Sequence, residues 1–151
     1  MFKLLKSLFD DTQEAEVAKA FTGDGVRLAE AALMFHVMQS DGHIKDVERA
    51  KMKEVLSEDF ELKEDEIEEL IEAAQFAENE AIDLFRFTSL LKANLERSRR
   101  VQIVENLWEM VYADGVVHEL EDNVVWRIAE LLNIQTPERV AMKKRVKEKY
   151  S

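Results

Sequence analysis

An all-α helical bundle is the fold this 151-residue sequence predicts, and three observations carry that reading. Apolar residues recur with a helical period along nearly the whole chain, and no stretch alternates as a strand does. One Pro and four Gly leave few places where a helix must break. The segment 40-SDGHIKDVE-48 also returns as 113-ADGVVHELE-121, so the helices read as two copies of one unit.

The chain opens with Phe2, Leu5 and Phe9 on one stripe with Leu4 and Leu8, beside Lys3 and Lys6. This run is too short for a secretion signal and ends in Asp10 and Asp11. Residues 1–22 therefore read as an amphipathic helix and a polar linker, with packing on the domain preferred and peripheral membrane contact through residues 2–9 as the alternative. The helical domain then occupies 23–151. Its first helix follows Gly23, with Leu28, Ala31, Ala32, Phe35 and Met38 on one face. A second runs Lys45–Leu56 through Val47, Ala50, Met52 and Val55, and a third carries Ile67, Leu70, Ile71 and Ala74 against an acidic face. Asp83–Asn94 (Leu84, Phe87, Leu90, Leu91) and Arg97–Ala113 (Val101, Val104, Leu107, Trp108, Val111) follow. His118–Asn133 is next, with Leu120, Val124, Ile128, Leu131 and Leu132, and Thr136 as N-cap before Pro137 opens the last helix. The count comes to about seven or eight helices.

A shift of 73 residues sets Met34, Val37 and Met38 on Leu107, Met110 and Val111, Phe35 on Trp108, and Val55 on Ile128. After a one-residue gap Leu62 meets Ile134. The reading is a duplicated three-helix unit with a pseudo-twofold relation: repeat one over about 24–78, a bridging helix at 82–94, and repeat two over about 97–149.

The composition excludes several function classes. A net charge of −11 and a pI near 4.8 argue against nucleic acid, whose phosphates require clustered cations. The absence of Cys removes disulfides, thiolate metal sites and Cys nucleophiles, and fits a cytoplasmic location. No nucleophile elbow, P-loop or glycine fingerprint occurs, so the chain reads as no enzyme. Its charge is polarised. Glu58 to Glu80 holds eleven acids against Lys63, a net of −10, whereas the tail from Pro137 holds six bases against two acids, a net of +4. That asymmetry fits a charged protein partner or head-to-tail oligomers, with Glu64, Glu68, Glu69 and Glu72 on one side and Lys143, Lys144 and Lys147 on the other.

The duplicated turn D-G-x-[IV]-x-x-x-E matches the second half of an EF-hand loop. The earlier ligand positions fail, being Val37 and Gln39 in one copy and Met110 and Tyr112 in the other. Two dependable carboxylates per turn, Asp41 with Glu48 and Asp114 with Glu121, fall short of the six to eight oxygens calcium takes. A divalent cation is the one cofactor left open: the four acids could share an ion if the turns met. Asp114, His118 and Glu121 also form a transition-metal trio. Turn mechanics explain the same residues without a metal. Gly42 and Gly115 permit a left-handed helix end, Ile44 and Val117 pin the turn to the core, and Glu48 and Glu121 meet free N–H groups in the next helix. A capping box reads as incomplete, because Lys45 and His118 stand where Ser or Asp belongs.

The double turn between amphipathic helices, with 114-DGVVHELEDNVVWRIAELLNI-134 as its second copy, resembles the TerB-like family. That family includes the bacterial tellurite-resistance protein B and is related to the N-terminal domain of membrane-bound DnaJ-like co-chaperones. The likeness covers roughly Val26 to Tyr150, and 113-ADGVVHELE-121 with His118 is the closer copy; Lys45 replaces the small polar cap usual in the first. The resemblance implies a duplicated helical bundle with Asp41, Glu48, Asp114 and Glu121 as its turn acids. It also implies a role in stress from toxic oxyanions or metals, at the inner membrane surface beside calcium-binding partners. Tellurite is itself an anion, and an acidic surface is a poor place to bind it directly. The expectation is thus a non-enzymatic interaction module of a metal-stress system, with divalent-metal binding through the turn acids as the alternative.

Overall fold

The structure, a computed structural model, describes residues 25–80, 84–113, 115 and 117–150. The amphipathic stripe at 2–9 and its linker lie outside the described residues, as do Asp114 and Val116. Seven helices are found among the described residues: α1 Val26–Gln39, α2 Asp46–Phe60, α3 Glu64–Glu80, α4 Phe85–Asn94, α5 Arg97–Val111, α6 Glu119–Leu131 and α7 Thr136–Lys149. No strand occurs among them, and the fold is an all-α bundle.

α1 lies at the centre, against α2, α3, α4, α5 and α6. Its sequence suits that position, since Glu30 is the only acid between Val26 and Ser40. The one-sided stripe expected from periodicity understates it. Ala29, Leu33, Met34 and Val37 are as deeply buried as Leu28, Ala32 and Phe35, so the helix is enclosed on nearly every side. Around it, α5 packs on α2, α6 and α7.

The peripheral helices bury narrower rows. On α2 the buried residues are Glu48, Met52, Val55 and Leu56, whereas Val47 and Ala50, expected on the apolar face, are exposed. On α6 they are Glu121, Val125, Ile128 and Ala129, while Leu120 is exposed. Both rows follow i, i+4, i+7, i+8, and in both the first place belongs to a glutamate. The apolar residue before each glutamate is turned outward as a consequence. Ile44 does not pin its turn and is exposed; Val117 is half-buried against the core.

α7 closes the bundle through its cations as well as its apolar row, Met142 and Val146. Lys143 lies over the rings of Trp108 and Trp126, 5.3 and 5.6 Å from their centroids, and its ammonium pairs with Asp122. The N-cap of α7 is Gln135 rather than Thr136, whose hydroxyl accepts from Arg139 Nη2 at 2.6 Å instead of capping the helix.

Candidate functional site

Each turn is built by local backbone rules. After α1, the amide of Gly42 donates to Gln39 O at 2.9 Å, and after α5 that of Gly115 donates to Tyr112 O at 2.8 Å. The two glycines have φ of +84° and +82°, the left-handed region that an L side chain enters only at a cost. Asp41 then tightens the first turn, accepting from the His43 amide at 3.0 Å.

The helix that follows each turn starts differently. At α6, His118 Nδ1 accepts from the Leu120 amide at 3.3 Å, while Glu121 Oε1 accepts from the His118 amide at 3.3 Å. This is a capping box with imidazole in the place of a hydroxyl, so the box expected to be incomplete is formed. At α2, Lys45 has extended backbone and offers no side-chain cap. Its ammonium reaches across to the start of α6 instead, 3.7 Å from Glu121 Oε1.

That contact answers a question the sequence leaves open: the two turns are neighbours. Lys45 and Glu48 share the start of α2, and Glu121 belongs to the start of α6. Glu48 and Glu121 are both 0% exposed. Burying a carboxylate is expensive unless charge or hydrogen bonds compensate it. Glu121 Oε2 is buried and has no hydrogen-bond partner among the described residues.

The donor set fits a divalent cation only in part. Glu48 and Glu121 are buried at the starts of α2 and α6. Asp41 is half-exposed and occupied by its own turn, and His118 has committed Nδ1 to the cap, which leaves Nε2. Among the described residues no three His, Asp or Glu side chains converge as a metal site, and Asp114 lies outside them.

Of the charged faces, Glu64, Asp65, Glu68, Glu69 and Glu72 are all exposed along α3. Among the described residues Glu68 alone of these five is in an ion pair, with Lys53. On α7, Lys144 and Lys147 are exposed, whereas Lys143 is half-buried in the contacts given above.

Sequence reading missed one polar cluster. Glu30, at 0% exposure in the central helix, accepts from Asn106 Nδ2 at 3.1 Å. The same amide donates to Asp59 at 2.6 Å, and Asn106 Oδ1 accepts from Gln102 at 2.9 Å. α1, α2 and α5 are thus joined at one residue. Burial pushes the Glu30 carboxyl up to about 7; the Asn106 hydrogen bond opposes this, the Asp59 charge adds to it, and Arg99 opposes it. Asn106 and Asp59 also line a cleft of about 220 Å³ with Lys51, Glu58, Glu105 and Glu109. The one available signal was a lone acid in the run 28-LAEAALMF-35.

No curated protein and no solved structure matches the chain. A family does: the profile described as Tellurite resistance protein TerB matches residues 27–144, from the start of α1 into α7 and across both turns. With that match spanning well over half the sequence, the chain belongs to the TerB family.

Proposed function

We propose that this chain is a non-enzymatic interaction module of a tellurite-resistance-associated system, which receives a basic protein partner on the acidic face of α3. The exposed ridge of Glu64, Asp65, Glu68, Glu69 and Glu72 is the observation that carries the reading. Glu64, Glu68 and Glu72 lie four residues apart in succession, as do Asp65 and Glu69. Like charges at that spacing repel by a few tenths of a kcal/mol per pair, a cost that a cationic partner removes. The exposed bases Lys144 and Lys147 give the molecule an opposite pole for orienting such an encounter. The test is crosslinked capture from cells that carry the gene, comparing wild type with Glu64→Gln/Glu68→Gln/Glu69→Gln/Glu72→Gln. A partner retained by wild type and lost by the variant supports the reading. An unchanged captured set refutes it.

A second reading is favoured by a separate observation, the meeting of two turns that each bury a glutamate. In it, Glu48 and Glu121, with Asp41, Asp114 and His118 as further donors, hold a divalent cation between the copies. Amide-shift titration with Ca²⁺, Mg²⁺, Mn²⁺ and Zn²⁺ tests it. Saturable shifts confined to the turns, and abolished in Glu48→Gln/Glu121→Gln, support it. Shifts spread along α3 mean counterion condensation and contradict it.

A further inference from the structure

We propose that the stripe of residues 2–9 docks on the chain's own α3, over Phe76 and the acids that precede it, and so shields that end of the ridge. The docking stands apart from the partner reading; only its effect on a partner rests on that reading.

The surface combines two chemistries. Asp65, Glu69, Glu72 and Phe76 follow one another at i, i+4, i+7 and i+11, a single exposed row on α3. Phe76 is 44% exposed at the end of that row, and Phe85, the first residue of α4, is 60% exposed across the connection from α3. They are the two exposed phenylalanines among the described residues. Exposed aromatic surface beside a run of like charges suits an occupant that carries apolar and basic side chains together.

The chain holds such a segment. In 2-FKLLKSLF-9, Phe2, Leu5 and Phe9 recur at helical spacing, and Lys3 and Lys6 stand three apart, the separation of Glu69 and Glu72. The path to α3 is short enough. His36 Nδ1 lies 3.0 Å from Glu78 Oε1, which sets the end of α3 beside the last turn of α1. Phe76 is therefore roughly one length of the 14-residue α1 from Val26, about 21 Å. Residues 10–24 span up to about 50 Å when extended. Tethering also lowers the strength required. An intramolecular site sees its occupant at an effective concentration on the order of 1 mM, so a contact too weak to hold a separate peptide is filled. The same short stripe has no such advantage at a membrane surface, where binding scales with the apolar area buried.

The experiment uses the full chain, whose lack of Cys lets Ser7→Cys carry a single nitroxide label. Paramagnetic broadening of amide signals is read in dilute protein. The expected result is broadening confined to the second half of α3 and the start of α4. It falls on the order of fivefold in Lys3→Glu/Lys6→Glu, in Phe76→Ser and in raised salt. Nitroxide-labelled chain mixed with isotope-labelled wild type shows none; broadening there assigns the surface to a second copy and overturns the proposal. Absence of broadening within the chain, broadening centred on another element, or broadening undiminished in either variant also overturns it. So does a label that is silent on the protein and responds only to phosphatidylglycerol vesicles, the mark of a membrane stripe. In crosslinked capture, Lys3→Glu/Lys6→Glu recovers more partner than wild type. Where the broadening holds and no partner is captured, the docking stands and the proposed function fails. Where broadening is absent and the α3 Gln variant loses a partner, the reverse is true.

Discussion

At Gly42 and Gly115 an added Cβ meets nothing within 4 Å, so their role is conformational and not steric. Gly42→Ala and Gly115→Ala should each cost about 1 kcal/mol in urea melts, through the positive φ alone. Glu61 presents the reverse case. It ends α2 at φ 51°, and Asn133, 72 residues on, takes φ 61° with a side chain better suited to that region. Glu61→Gly should therefore stabilise the protein by about 0.5–1 kcal/mol. Glu30 gives a pH dependence. Its folded carboxyl sits at about 7 against an ordinary 4.5, so the native state holds the proton more tightly than the unfolded chain. That contribution is fully present below pH 4.5 and is lost as pH rises through 7, on the order of 3 kcal/mol in all. Glu30→Gln should remove this slope and gain on wild type between pH 5 and pH 8; parallel stability curves would contradict the assignment. The two glycines were legible in the sequence because left-handed turns demand that residue type. Glu30 was not, since a period shows that a helix has an apolar face but not how many neighbours enclose it.

Among the elements, α2 and α6 show what periodicity resolves and where it stops. Both were predicted as helices, and Met52, Val55 and Ile128 were placed near the core as found. The rotation of each helix was misjudged, because an apolar Val47 or Leu120 looks like a better core residue than the Glu beside it. For α6 the reason for the inversion lies in the N-terminal turn. A buried carboxylate there accepts backbone N–H groups that would otherwise be orphaned, as Glu121 does from His118. His118 was weighed as a metal ligand, and the structure gives its Nδ1 to the helix. His118→Ala should cost about 1 kcal/mol in chelator, the usual worth of an N-cap, measured by the shift in urea midpoint at unchanged slope. A cost that appears only with metal present would instead make His118 a ligand.

At the scale of the whole molecule, the all-α bundle was legible because nearly every segment agrees on period, breakers and caps. Gly42 and Gly115 share a positive φ, and Glu48 and Glu121 are both fully buried. That the two turns meet was not readable, since a repeat fixes equivalence but not distance. Among the described residues the reach of Lys45 to Glu121 shows it. Among the described residues no helix is long and apolar enough to cross a membrane, and α3 carries an exposed acidic ridge. The claim that this ridge receives a basic partner is tested most directly by quantitative crosslinked capture with wild type and the four-site Gln variant of α3. The account predicts a partner whose recovery falls on the order of tenfold in the variant and in raised salt, with the variant melting no lower than wild type. Equal recovery by both proteins at every salt concentration would contradict it.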